Sequence, residues 1–152
     1  MSEPLLKRFA PFAELSDAEC EDLAELLEPR ALSPGETLFA EGDDADALVL
    51  VTEGSLELSS RRASGSWEAH AGSVVGGLSL LAVGARETAA AAGSRPVAVR
   101  LLRRAEFLRL AEDNPRAACR IACSIAAEVA GRARLALSDL GARSVDPERA
   151  GE

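Results

Sequence analysis

Between Ser33 and Leu58 the chain alternates short apolar runs with glycine-centred turns. Pro34-Gly35 precedes the first run, Glu41-Gly42-Asp43-Asp44 separates the first from the second, and Glu53-Gly54-Ser55 makes a tight reversal into the third. Glycine permits the positive φ that such turns need, and Asp and Ser stabilise them with local side-chain hydrogen bonds. Strands this short, with turns this frequent, predict a small antiparallel barrel or roll.

Helical patterns flank this region on both sides. Residues 5–27 are predicted to be helical, with Ser16 as an N-cap and Glu19 at the capping-box position, and Pro29 is expected to end the segment. Near the other end, Asn114 and Pro115 are the expected N-cap and first residue of a long helix that runs to about Leu140. Its predicted apolar side comprises Ala118, Ile121, Ala122, Ile125, Val129, Ala133 and Ala136, and its polar side comprises Arg116, Arg120, Ser124 and Arg134.

Residues 88–92 and 97–103 are expected to close the roll, and residues 106–111 to form a short helix. The predicted fold class is therefore α+β, an antiparallel β-roll (a double-stranded β-helix, jelly-roll-like) with N-terminal helices and a long C-terminal helix. We expect a single domain over residues 1–140 and a disordered tail over residues 141–152, where the sequence has no periodicity.

Composition narrows the function classes. A formal net charge of -8 argues against DNA or RNA binding, since phosphate backbones are held by clusters of Lys and Arg. No apolar run is long enough for a signal peptide or a membrane span. Three cysteines do not make a disulfide framework, so we expect buried thiols, including Cys119 and Cys123 one helical turn apart, and a cytoplasmic location.

A glycine-rich turn follows the predicted roll. It reads Gly76-Gly77-Leu78-Ser79-Leu80, and Arg86 comes ten residues after Gly76. This turn, together with the order of elements over about residues 5–138, resembles the cyclic-nucleotide-binding domain of catabolite-activator-type regulators, protein kinase A regulatory subunits and gated channels. The family's phosphate-binding cassette is Gly-Glu-x-Ser/Ala-Leu on a short helix, followed by an arginine at this spacing.

The resemblance implies a ligand-binding role for Gly76, Gly77, Leu78, Ser79 and Arg86. In the family, the free amides of the short helix and the arginine hold the cyclic phosphate, which suits the physics of anion binding at a helix start. Thr88 joins the candidates, because alternate residues of an extended segment share a side, whereas Glu87 is expected to point away. The implied ligands are cAMP and cGMP.

The cassette departs from the family at two positions. Gly77 stands where the family has the glutamate that accepts from the ribose 2′-hydroxyl, and Ala85 stands where a proline commonly precedes the arginine. Losing a charged acceptor removes a hydrogen bond worth about 1.5–3 kcal/mol. Gly77 also loosens the short helix that aims the amides.

Other candidate chemistry is weak. The acidic turn Asp43-Asp44-x-Asp46 lacks the spacing of a calcium loop, and His70 is the only histidine, so no metal site is predicted. Ser79 has no histidine base beside it in any motif, so we expect no enzyme and no cofactor.

Two hypotheses of different classes remain. One is a regulatory sensor module that binds a cyclic nucleotide or a similar phosphorylated small molecule and signals to a partner protein. The other is a degenerate domain that no longer binds nucleotide and acts as a dimerisation or protein-interaction scaffold through the long helix. The missing glutamate at Gly77 favours the second hypothesis, and Arg86 favours the first.

Overall fold

The helices begin where their capping residues lie. A computed structural model describes residues 3–144 and contains helices α1 (Glu3–Leu6), α2 (Asp17–Leu26), α3 (Arg104–Asp113) and α4 (Pro115–Ser144). The Ser16 hydroxyl accepts from the Glu19 amide at 3.2 Å and the Glu19 carboxylate accepts from the Ser16 amide at 2.9 Å, which confirms the capping box. The Asn114 side-chain oxygen accepts from the Ala117 amide at 3.1 Å, so the predicted cap of the long helix is also confirmed.

The strands of the described chain form two four-stranded antiparallel sheets. They are β1 (Glu28–Leu32), β2 (Thr37–Phe39), β3 (Ala47–Glu53), β4 (Ser55–Ser59), β5 (Ser66–His70), β6 (Val74–Val75), β7 (Ala89–Ala92) and β8 (Val97–Arg103). One sheet has the order β1-β8-β3-β6 and the other the order β2-β7-β4-β5. The predicted α+β roll and its closing strands are confirmed.

Strand β3 is buried on both faces. Ala47, Val49 and Val51 point into the space between the two sheets, whereas Leu48 and Leu50 point towards the helices. Alternate residues of a strand face opposite ways, so a strand that is covered on both sides reads as a continuous apolar run. Two cores therefore share this strand. The helical core also contains Leu6, Phe12, Leu23, Leu102, Phe107, Ile121 and Ile125, and the intersheet core also contains Leu56, Leu58, Ala90, Val97 and Val99.

The first strand differs from the sequence-based expectation. Pro29 was expected only to end a helix, but it lies inside β1 and pairs with Arg100 of β8. Strand β1 is at the edge of its sheet, so the amide hydrogen that proline lacks is not needed by a second neighbour. The segment 5–27 is likewise less helical than predicted, because α1 and α2 are separated by a short 3-10 helix at Ala10–Phe12.

Helix α4 is partly buried and partly exposed along its length. Ala118, Ile121 and Ile125 are buried, whereas the predicted apolar positions Ala133 and Ala136 are exposed. Helix α4 continues through residues 141–144, where a disordered tail was expected, and the remainder of that expected tail, residues 145–152, lies outside the described residues. Within residues 3–144, no helix combines the length and apolarity needed to cross a membrane.

Two polar residues of α4 hold the N-terminal segment. The Arg120 guanidinium donates to the carbonyl of Glu14, and the Ser124 hydroxyl donates to the carbonyl of Ala10 at 3.3 Å. The predicted polar side of α4 therefore contacts the segment between α1 and α2, where it donates hydrogen bonds to backbone carbonyls.

The cysteine prediction is wrong at two of three positions. Cys20 is buried in the helical core as expected, but Cys119 and Cys123 are exposed. In this part of α4, Ile121 and Ile125 are buried in the core, and the face that carries the two cysteines is exposed to solvent.

We predict that Gly54→Ala destabilises the fold much more than Gly35→Ala. Both glycines have positive φ, at 75° and 77° respectively, which costs an alanine about 1–2 kcal/mol. An added Cβ at Gly54 would also lie 2.7 Å from the carbonyl oxygen of Pro96, whereas at Gly35 it would meet nothing within 4 Å. Urea unfolding should show a loss of about 1 kcal/mol for Gly35→Ala and about 3 kcal/mol for Gly54→Ala. Equal losses would contradict the tight contact at the β3–β4 reversal.

Candidate ligand-binding site

The glycine-rich turn forms a 3-10 helix over Gly77–Leu80. Gly76 precedes it with a φ of 73°, and the Ser79 amide donates to the Gly76 carbonyl at 3.0 Å. An added Cβ at Gly76 would lie only 2.3 Å from Nη1 of Arg86, so this position requires glycine both for its conformation and for the space. The first amides of a helix have no acceptor within it, so those of Gly77 and Leu78 are available to an external acceptor.

The Arg86 side chain is turned into the protein behind this turn. It is 8% exposed, and it donates through Nη1 to the Ser79 hydroxyl at 3.2 Å and through Nη2 to the Ala47 carbonyl at 2.7 Å. Its guanidinium carbon lies 4.1 Å from the centroid of the Phe39 ring, a cation–π distance. Its Nε atom is buried and has no hydrogen-bond partner among the described residues.

The charge of Arg86 is poorly compensated by the chain itself. Within the described residues no carboxylate lies at ion-pair distance from its guanidinium. Burial lowers the pKa of Arg86 from its ordinary value, and the more distant charges of Asp46 and Asp43 act in the opposite direction. Arginine stays protonated at neutral pH even so, and a buried cation without an anion is unfavourable. The chain itself therefore leaves the charge of Arg86 without a close counter-ion.

The acidic turn before β3 supports the backbone of Arg86. The Arg86 amide donates to the Asp43 carbonyl at 2.7 Å, and the Gly42 amide donates to the Arg86 carbonyl at 2.8 Å. The Asp43 carboxylate accepts from the Ala40 amide at 2.9 Å. Across residues 3–144 there is no group of three or more side chains that could hold a metal ion. This turn positions the arginine and caps its own backbone.

Arg104 is a second arginine at the site, and the sequence analysis missed it. Its Nε donates to the Ser79 carbonyl at 2.7 Å, and its Nη2 donates to the carbonyls of Ala82 and Ala45. It therefore ties the end of the 3-10 helix to the turn before β3. No motif marks it, because it lies at the start of α3, far from the turn in sequence.

Helix α4 packs directly on the glycine-rich turn. An added Cβ at Gly77 would lie 3.2 Å from Cγ2 and 3.5 Å from Cγ1 of Ile125. A glutamate, which the family resemblance implies for this position, would force Ile125 to move. The glycine at position 77 and the close approach of α4 therefore go together, because the missing side chain leaves the space that Ile125 occupies.

The remaining candidates lie at the edge of this arrangement. Leu78 is 49% exposed, Thr88 is half-buried and Glu87 is exposed. Within the described part of the chain, the Thr88 hydroxyl makes no hydrogen bond to Arg86 or to the turn. The structure thus brings together Gly76, Gly77, Ser79 and Arg86, and it adds Ala47, Phe39, Arg104 and Ile125 as neighbours.

The guanidinium of Arg86 is buried, and one surface recess lies away from it. That recess has a volume of about 260 Å³ and lies against the second sheet, lined by Ser55, Glu57, Glu68, Gly93, Ser94 and Arg95. The Ser79 hydroxyl and the Ala47 carbonyl accept from Nη1 and Nη2 of this guanidinium, and α4 lies close to the glycine-rich turn through Ile125.

The chain is similar to one protein family and to several solved structures. The family model described as cyclic nucleotide-binding domain matches residues 29–114. Among curated proteins, none is significantly similar to the chain.

Solved structures with the same fold come from several bacteria. The N-terminal domain of a transcriptional regulator from Streptomyces coelicolor is 26% identical with a TM-score of 0.75, over 84% of this chain and 94% of that domain. The catabolite activator protein of Thermus thermophilus is 27% identical with a TM-score of 0.75, over 89% of this chain and 63% of its own. A cyclic nucleotide-binding domain from Methylobacillus flagellatus, at 20% identity and a TM-score of 0.73, covers 99% of this chain and 83% of its own and shares the fold.

We predict that Gly77→Ala and Ile125→Ala are energetically coupled. In the wild-type background the new methyl group at position 77 meets Ile125 too closely, and overpacking of this kind costs about 1–2 kcal/mol. In the Ile125→Ala background the same substitution should cost less than about 0.5 kcal/mol, because the space is free. Urea unfolding of the four proteins measures the coupling. Additive effects would mean that α4 does not rest on the turn in solution.

Proposed function

The chain belongs to the cyclic nucleotide-binding domain family, and from that premise we propose that it is a regulatory sensor that binds a cyclic nucleotide or a similar phosphorylated small molecule. The ligand's phosphate would contact Arg86 and the turn Gly76–Leu81. The observation that carries the proposal is the buried guanidinium of Arg86, which has an unpaired Nε and no anionic partner at ion-pair distance among the described residues.

A cyclic phosphate suits the groups present at this position. Its oxygens accept from the guanidinium in charge-assisted hydrogen bonds, which are about twice as strong as neutral ones. The amides of Gly77 and Leu78 add donors from the start of the 3-10 helix. When Nη1 of Arg86 turns to the phosphate, the Ser79 hydroxyl becomes a further donor. The phosphate is therefore the part of the ligand that the chain is equipped to hold.

The ribose of the ligand would lie in a less polar environment than the phosphate. Gly77 offers no carboxylate, and the space beside it is filled by the apolar side chain of Ile125. We therefore propose that the ribose 2′-hydroxyl contributes little to affinity. cAMP and cGMP are the first ligands to test, and their 2′-deoxy analogues should bind with similar strength.

The same contact supplies a route from the site to a partner. A ligand that moves Gly77 inward or outward changes the space available to Ile125, and Ile125 belongs to α4. The exposed C-terminal half of α4 is then the surface whose contact with a partner protein changes when the ligand binds. We propose no catalytic step, because the Ser79 hydroxyl contacts a guanidinium rather than a base.

We expect a cyclic nucleotide to stabilise the wild-type protein and to leave Arg86→Met unaffected. A ligand at 100 times its Kd adds about 2.7 kcal/mol, which raises Tm by a few degrees. Thermal unfolding with 1 mM cAMP, cGMP, their 2′-deoxy analogues and cyclic dinucleotides measures the shift. Arg61→Met is the matched control, since that side chain is 85% exposed on a hairpin and should keep the full shift.

Two outcomes would contradict this proposal. No shift with any nucleotide would remove the ligand, and an equal shift in Arg86→Met would remove the site. If Arg86→Met does not fold, Arg86→Lys keeps the charge but loses the planar fork, and it should retain a smaller shift. A large difference between ribose and 2′-deoxy ligands would overturn the role given to Gly77.

A scaffold function is the second candidate, and the exposed C-terminal half of α4 favours it. Leu135 and Leu137 are 69% and 68% exposed, and exposed apolar patches often mark protein–protein contacts. Leu137 continues the stripe through Val129 and Ala133 at helical spacing, whereas Leu135 lies on nearly the opposite side. In this reading two copies of the chain pair through the Val129–Ala133–Leu137 stripe.

We predict that Leu137→Asp makes the protein monomeric and that Leu135→Asp does not. The two positions have matching exposure, so neither substitution should alter the stability of a single chain by more than about 0.5 kcal/mol. Sedimentation velocity at several protein concentrations measures the oligomeric state. A monomeric wild-type protein, or an equal effect of both substitutions, would contradict the stripe as an interface.

A further inference from the structure

Cys119 and Cys123 place two thiols side by side on the surface of α4. Their sulfur atoms lie 4.0 Å apart, both residues are exposed, and they are separated by one helical turn. Neither belongs to the site around Arg86. Helix α4 holds the pair rigidly, because its neighbouring residues Ile121 and Ile125 are anchored in the core.

The charged residues of α4 within four positions of either cysteine are both arginines. Arg116 lies three residues before Cys119 and Arg120 lies three residues before Cys123, which puts a cation one turn from each thiol. No Asp or Glu occurs between Pro115 and Ala127, although the whole chain has a net charge of -8. The hydrogen bond with Cys119 raises the pKa of the Cys123 thiol, which favours the protonated thiol in the absence of a ligand.

The geometry disfavours a disulfide and suits a bridging atom. Residues one turn apart in a helix have Cβ atoms about 5–6 Å apart, whereas a disulfide needs about 3.5–4.5 Å. Closing the bond would therefore distort α4. Two bonds of about 2.3 Å from a central atom to two sulfurs span up to about 4.6 Å. The observed separation of 4.0 Å falls within that reach.

The described residues supply the bridging atom with two ligands and no more. Among residues 3–144, no third His, Cys, Asp or Glu joins the two thiols to make a metal cluster. A tetrahedral zinc site needs four ligands, so this pair does not supply one. Soft centres that are satisfied by two thiolates fit the pair instead.

We propose that Cys119 and Cys123 together bind a soft, thiol-seeking atom through both sulfurs. Cu(I) and trivalent arsenicals are the two ligands of this kind that the experiment distinguishes. Capture of an arylarsonous acid forms two As–S bonds and releases two molecules of water, with no change of oxidation state. Capture of Cu(I) releases the two thiol protons. The bridged product closes a ring across one turn of α4 without unwinding it, which distinguishes this chemistry from oxidation.

The first test is competition against a monothiol. The reduced full-length protein is mixed with phenylarsine oxide or with Cu(I), in the presence of millimolar glutathione and without oxygen. We expect one equivalent to bind. With phenylarsine oxide the protein mass should rise by the mass of the reagent less one water, because hydration to the arylarsonous acid consumes one of the two waters released. Cys119→Ser and Cys123→Ser should each bind at least about 100-fold more weakly, because they lose the second, intramolecular bond. Copper binding is measured by competition with a Cu(I)-specific chelator, and arsenical binding is measured by mass spectrometry.

A spacing control separates chelation from simple thiol reactivity. The double substitution Cys123→Ser with Ala126→Cys keeps the number of exposed thiols but places them about 10.5 Å apart along the helix. It should bind as weakly as the single variants. Equal binding by this variant, or undiminished binding by both single variants, would overturn the two-sulfur site. Circular dichroism should show unchanged helicity throughout, since the substituted positions are exposed.

Discussion

The burial of strand β3 on both faces is the constraint on which the rest of the structure depends. One face completes the core between the two sheets through Val49, and the other face anchors the helices through Leu50. Because both faces are covered, the strand has no freedom to shift by one residue without reversing every side chain. The start of this strand places the Ala47 carbonyl where it accepts from Arg86. The site is therefore aligned by a strand whose first five residues are all buried.

The unfavourable features of the fold gather around that site. Arg86 is a buried cation with an unpaired Nε, Gly76 has a left-handed conformation, and a Cβ added at Gly77 would crowd Ile125. Glycine relieves the last two constraints, whereas the buried charge of Arg86 is a local violation of the kind expected where a protein binds a ligand. An anion at Arg86 would relieve the largest of them, since it supplies the missing counter-charge. The proposed binding would thus link stability to ligand through one side chain.

Helix α4 connects three properties of the molecule. Its buried face rests on the glycine-rich turn through Ile125, its outer face carries Cys119 and Cys123, and its C-terminal half exposes Leu135 and Leu137. A rigid helix transmits a displacement at one end to the other, because its backbone hydrogen bonds resist local bending. Bridging of the two thiols would stiffen the turn that also contains Ile121. The proposed ligand site, thiol site and partner surface therefore all involve one element.

The sequence by itself determined the elements whose signals are local. Glycine turns such as Gly54, the capping box at Ser16 and the cap at Asn114 depend on neighbours within a few residues, and they predicted the roll and its long helix correctly. Pro29 within β1, the exposure of Cys119 and the roles of Arg104 and Ile125 depended on the tertiary structure. Those features arise from residues far apart in the chain, such as Ser79 with Arg104 and Gly77 with Ile125. Spacing along the chain carries no information about such contacts, because packing alone selects which helix face and which sheet edge is covered.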